Sequence, residues 1–101
     1  MRVFVFFDLP VITSADRKAY RKFHKFLIQS GFIMMQESVY SKLCLNATAA
    51  KFVCANLRKH KLEKGLVELL TITEKQYASI EYLVGESADE VVSSTDRLVV
   101  L

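Results

Sequence analysis

A chain of 101 residues holds one core and is too short for two. Its hydrophobic fraction of 51% is high for that size, yet no run approaches the roughly 18 uninterrupted apolar residues of a membrane span. Nor does Arg2 open a basic leader with a cleavage site, so a soluble cytoplasmic protein with no membrane partner is expected. The net charge of +3 is divided unevenly. Residues 1–64 carry twelve Lys and Arg against four Asp and Glu, while residues 65–101 carry two against seven. The basic part suits a polyanion, above all nucleic acid, and the acidic part suits a basic protein.

The chain begins with Met1-Arg2-Val3-Phe4-Val5-Phe6-Phe7-Asp8-Leu9-Pro10. Five consecutive apolar residues, β-branched or aromatic, closed by a proline, predict a strand buried on both faces, the central strand of a helix-covered sheet. Asp8 follows where that strand must surface. A carboxylate there has to reach water, a cation or a hydrogen-bond cluster, because burying it alone costs several kcal/mol. Asp8 is the candidate functional carboxylate.

Ser14 is the expected cap of a helix to about Gln29, with Asp16 at its positive end and Gly31 as its C′ residue. Ala19, Phe23, Phe26, Leu27 and Ser30 form its inward stripe, with Tyr20 at the margin. Arg17, Lys18, Arg21, Lys22 and Lys25 crowd the rest. So many cations repel one another on an isolated helix, a cost that phosphates would relieve.

Phe32 to Asn46 reads as an antiparallel pair or one long bent strand, broken by a turn or bulge near Gln36–Ser38. Asn46 or Thr48 caps a second helix to about His60, burying Ala49, Phe52, Val53 and Leu57. After Gly65 come a strand at Leu66–Thr73, a helical turn at Glu74–Ser79 and a short strand at Ile80–Val84. Residues 85–96 read as a polar linker. The apolar terminus Leu98-Val99-Val100-Leu101 reads as a strand that docks on a sheet edge, in this chain or a partner's. Cys44 and Cys54 lack ligand spacing and read as reduced, packed thiols.

The order β-α-β-β-α-β is the ferredoxin-like α+β pattern, assigned to residues 1–84, with 85–101 as linker and terminal strand. A small domain this apolar also exposes surface to a partner, and a two-fold homodimer is the commonest arrangement.

Several residues together resemble a known family. They are Phe7-Asp8 at the end of the first strand, the basic helix Arg17–Lys25, Gly31-Phe32, Gln36-Glu37-Ser38-Val39-Tyr40, Thr71 and the apolar C-terminal strand. This ordered set resembles the CRISPR-associated protein 2 family, the small partner in spacer acquisition. Arg17-Lys18-Ala19-Tyr20-Arg21-Lys22-Phe23 and Leu69 to Gln76 are similar to members from type II systems. The resemblance implies a homodimer whose last strand, here Leu98, Val99 and Val100, crosses to the other subunit. It implies a metal-dependent endonuclease acting on single-stranded RNA or double-stranded DNA, with one Mg²⁺ or Mn²⁺ shared between the two Asp8 carboxylates. It also implies a platform role for a larger integrase protein, with Arg17 and Arg21 on the nucleic-acid backbone and Phe7, Phe32 and Ser38 at or supporting the interface. Many members carry Tyr where this chain has Phe7, so any role for that hydroxyl is absent.

Read from the residues alone, Asp8 could instead cap the following loop or pair with Arg17 or Arg21. His24 and His60 read as bystanders on basic helices, Ser38 as a hydrogen-bonding hydroxyl, and Phe32 and Tyr40 as packing rather than base-stacking residues. Two functions compete: a duplex-binding platform within the integrase, and a stand-alone metal-dependent endoribonuclease. A ferredoxin-like regulatory module for a small metabolite is a third reading, which no Gly-rich loop supports. The acidic stretch Glu86–Asp96 and the terminal strand are the expected integrase contacts.

Overall fold

The structure, a computed structural model, describes residues 1–60 and 62–86. Its first strand, β1 (Arg2–Asp8), is paired on both edges. β2 (Ile33–Gln36) and β3 (Val39–Leu43) form a hairpin, and β4 (Leu66–Ile72) is the last strand of the sheet. The sheet is antiparallel with strand order β2-β3-β1-β4. Two helices, α1 (Ser14–Gln29) and α2 (Ala47–Arg58), separate β1 from β2 and β3 from β4, which completes the ferredoxin-like α+β order.

Alternation along β1 sorts its side chains between two layers. Val3, Val5 and Phe7 are buried with Tyr40 from β3, Phe23 and Leu27 from α1, and Ala50, Cys54 and Leu57 from α2. Phe4, Phe6 and Asp8 take the other face. There the short helix α3 (Glu74–Ala78) sets Tyr77 at 5.9 Å from the Phe4 ring. The Arg2 guanidinium lies 3.8 Å from the Tyr77 ring centre, and its Nε donates to both Glu74 carboxylate oxygens at 3.1 Å.

Several details differ from the sequence reading. Thr13, not Ser14, caps α1: its hydroxyl accepts the Asp16 N–H and the Asp16 carboxylate accepts the Thr13 N–H, a reciprocal capping box. Ala19 is exposed, whereas Phe23 and Leu27 carry the buried stripe. Phe52 is 75% exposed, and α2 instead turns its small residues Ala50 and Cys54 inward. α2 ends at Arg58 with Lys59 as its cap, short of the expected His60. Residues 80–84 form no strand, since no strand among the described residues pairs with them. The break between β2 and β3 is both a bulge at Met34–Gln36 and a turn, with Ser38 at φ 65°. β3 stops at Leu43, three residues short of Asn46; the remaining boundaries fall within a residue or two of expectation, and Gly31 takes φ 90° after α1 as a C′ glycine should. The expected terminal strand, with Leu98, Val99 and Val100, lies outside the described residues, as does the linker from 87 on.

Candidate functional site

Asp8 is the last residue of β1, opposite Leu66 of β4. Its side chain is exposed and meets no hydrogen-bond or ion-pair partner among the described residues. Its backbone, by contrast, is held firmly. The preceding Phe7 N–H donates to the Ser38 carbonyl at 3.0 Å, and the Phe7 ring is wedged among Tyr20, Phe23 and Tyr40. On the other side Gly65, at φ 94°, packs against the carbonyl of Asp8. A Cβ at Gly65 would lie 2.6 Å from that oxygen and 2.7 Å from Leu9 Cδ2, so only glycine fits. A rigid main chain therefore presents a free carboxylate.

The loop-capping alternative for Asp8 is not what the chain does. Asp16 caps α1, and the guanidinium of Arg17 donates to the carbonyls of Val11 at 3.2 Å and Ile12 at 2.9 Å. Arg17 thus clamps the loop after the strand. Lys18, Arg21, Lys22 and Lys25 are exposed and have no carboxylate partner among the described residues. These cations sit on α1, over the face of Val3, Val5 and Phe7, whereas alternation sends the Asp8 carboxylate to the opposite face. Acid and cations occupy different layers. Phe7 and Phe32 are buried in the chain's own core, so they back the site rather than offer surface.

Around Asp8 the open face of the sheet is largely apolar. It includes Phe6, Leu66 and Leu70, and further out Leu43 and Ile33, with Leu66 57% and Leu43 58% exposed. Glu68, opposite Phe6, shares this face and stands diagonally across from Asp8. No group of three or more His, Cys, Asp or Glu comes together among the described residues. One carboxylate with a diagonal neighbour falls short of a dedicated cage. It fits an ion held by one or two carboxylates plus water and phosphate oxygens, which is how Mg²⁺ is commonly bound.

Both histidines have partners within the fold, which the sequence reading did not show. His24 Nδ1 is hydrogen-bonded to the hydroxyl of Tyr40, whose ring is fully enclosed and whose pKa is raised by burial. His60 stacks on Phe26 with ring centres 4.5 Å apart and tilts against Phe23. Burial, and then the nearby Lys22 charge, lower its pKa. No signal along the chain announces these pairs, because Tyr40 and Phe26 reach the histidines only through the fold. Cys44 and Cys54 are free thiols packed in the core, and burial raises the pKa of Cys44.

A four-stranded sheet of this order with two helices on one face defines a ferredoxin-like protein, and its exposed strand-end acid marks where function is to be sought. Comparison with known proteins narrows that class. The family described as CRISPR associated protein Cas2 matches residues 1–80. A Treponema denticola protein named CRISPR-associated endoribonuclease Cas2 is 56% identical over 101 residues, the full length of both chains. A Streptococcus mutans protein of the same name is 50% identical over all of this chain and 93% of its own. The crystal structure of Streptococcus pyogenes Cas2 at pH 6.5 superposes with a TM-score of 0.61 at 21% identity, covering 83% of this chain and all of that one, a likeness of fold. The chain belongs to the Cas2 family. No helix among the described residues is long and apolar enough to cross a membrane.

Proposed function

We propose that this protein is a nucleic-acid-binding endonuclease of CRISPR adaptation that works as a homodimer, with Asp8 as its metal ligand and catalytic carboxylate. The observation that carries the proposal is the placement of Asp8: an unpartnered carboxylate on a rigid main chain, on a sheet face whose exposed Leu43, Leu66 and Leu70 call for a cover. A second copy laid two-fold on that face would bring a second Asp8 to the same region, where two carboxylates hold Mg²⁺ or Mn²⁺ better than one. The bound ion would polarise a phosphodiester and acidify a water. Phe7 and Gly65 fix the carboxylate's origin, and the apolar residues around it limit water. The names of the relatives support endoribonuclease activity. The strong bias of residues 1–64 toward Lys and Arg supports binding of single-stranded RNA or duplex DNA.

Within spacer acquisition the same dimer would serve as a platform for the larger integrase, a role that needs its basic surface more than its nuclease. The test is cleavage of single-stranded RNA and duplex DNA with Mg²⁺ or Mn²⁺ by the wild type and by Asp8→Ala. Loss of cleavage in the variant is expected. Equal cleavage by both would remove Asp8 from the chemistry and leave the platform.

A further inference from the structure

On the helix side of the molecule, away from Asp8, two adjoining cavities lie between α1, the end of α2 and the 62–65 loop. One, of about 280 Å³, is bordered by Arg58, His60, Leu62, Lys64 and Gly65 among others. The larger, about 520 Å³, shares His60, Leu62 and Lys64 and adds Lys22 and Lys59 over a floor that includes Leu9, Pro10 and Ala19. Together they make one cleft with cations on both rims. Its acids are Asp16 and Glu63. Asp16 is already engaged: it caps α1 and has Lys64 at 3.6 Å, and its pKa is lowered chiefly by the Thr13 backbone N–H. Lys22, Arg58 and Lys59 have no carboxylate partner among the described residues, and each is exposed.

The α1 rim also extends beyond the cleft. Lys18, Lys22 and Lys25 fall at i, i+4 and i+7, one stripe about 10 Å long at 1.5 Å rise per residue. Arg58 and Lys59 at the end of α2 face it. Cations spread along two rims fit a chain of phosphates better than a single anion. Their long, flexible stems and the apolar floor offer nothing that reads base edges.

We propose that the α1–α2 cleft, with Lys22, Arg58, Lys59 and Lys64 on its rims, seats the sugar-phosphate backbone of a nucleic-acid duplex on the layer opposite Asp8. The proposal rests on the nucleic-acid-binding reading above and adds where binding occurs. His60, stacked on Phe26, also lines the cleft, and its burial and the Lys22 charge lower its pKa.

The test is fluorescence anisotropy of a labelled DNA duplex against wild type, Lys22→Gln/Lys59→Gln, Arg21→Gln/Lys25→Gln and, as a single-charge control on the other layer, Lys75→Gln. All three variants are surface changes, and circular dichroism confirms their fold. The cleft pair is expected to weaken binding about tenfold or more and to flatten the log–log salt slope by about 2, with Lys75→Gln unchanged. Wild-type affinity and slope in the cleft pair, with loss only in Arg21→Gln/Lys25→Gln, would overturn the cleft and move the contact along α1 beyond it. A labelled polyglutamate that outcompetes duplex at the cleft would overturn it in favour of an acidic protein. Absence of duplex binding by wild type at low salt would instead refute the underlying nucleic-acid reading.

Discussion

Gly65 packs closely against the main chain at Asp8. Its positive φ and the 2.6 Å approach of a would-be Cβ to the Asp8 carbonyl leave no room for a side chain. Gly65→Ala is expected to lower stability by about 1–3 kcal/mol in denaturant titration, through strain and displacement of the strand end. Cleavage should fall further than the folded fraction does, since Asp8 moves with its backbone. His60 makes a second prediction at this scale. Its folded pKa lies below the ordinary 6.5, so the unfolded chain binds the proton more readily. The stability tied to the neutral ring is full above 6.5 and is lost as pH falls below it. Thermal melts of wild type should show that loss as pH falls below 6.5, and His60→Gln should show less. Asp8 was legible in the sequence because an acid after five apolar residues has few places to go. The histidine contacts were not, because their aromatic partners lie elsewhere in the chain.

Among the elements, β1 and α1 follow directly from the chain: an unbroken apolar run makes a central strand paired on both edges, and a capped 16-residue periodic segment makes a helix. The start of α1 slid by one residue because Thr13 and Ser14 both carry hydroxyls, and only Thr13 stands three before Asp16. Thr13→Ala should therefore cost about 1 kcal/mol in unfolding free energy and Ser14→Ala almost nothing. α2 misled for a different reason. Periodicity favours its bulkiest residues as the buried line, yet a helix lying close on a sheet needs small ones, and Ala50 and Cys54 allow that approach. Phe52→Ala is expected to change stability by less than about 0.5 kcal/mol, against about 2–5 kcal/mol for Leu27→Ala. Equal costs in calorimetry would contradict this assignment of faces. Ile80–Val84 has strand composition, but among the described residues no strand pairs with it, and composition alone makes no ladder.

At the scale of the whole molecule, the ferredoxin-like order was legible because helix and strand periods alternate cleanly along the chain. The division between layers was not. The sequence reading allowed Asp8 to pair with Arg17 or Arg21 of the basic helix, but strand parity and the β1–β4 register send the carboxylate to the open apolar face, with the cations on the other side. On the proposed reading, such a molecule would separate grip from chemistry, with phosphates on the helix layer and an ion and a second copy on the sheet layer. The most direct test of that arrangement is calorimetric titration of Mn²⁺ into protein whose oligomeric state is fixed by light scattering. The account predicts a dimer that binds one ion per two chains, with binding lost and the dimer retained in Asp8→Ala. A monomer, or ion binding unchanged by that substitution, would contradict it.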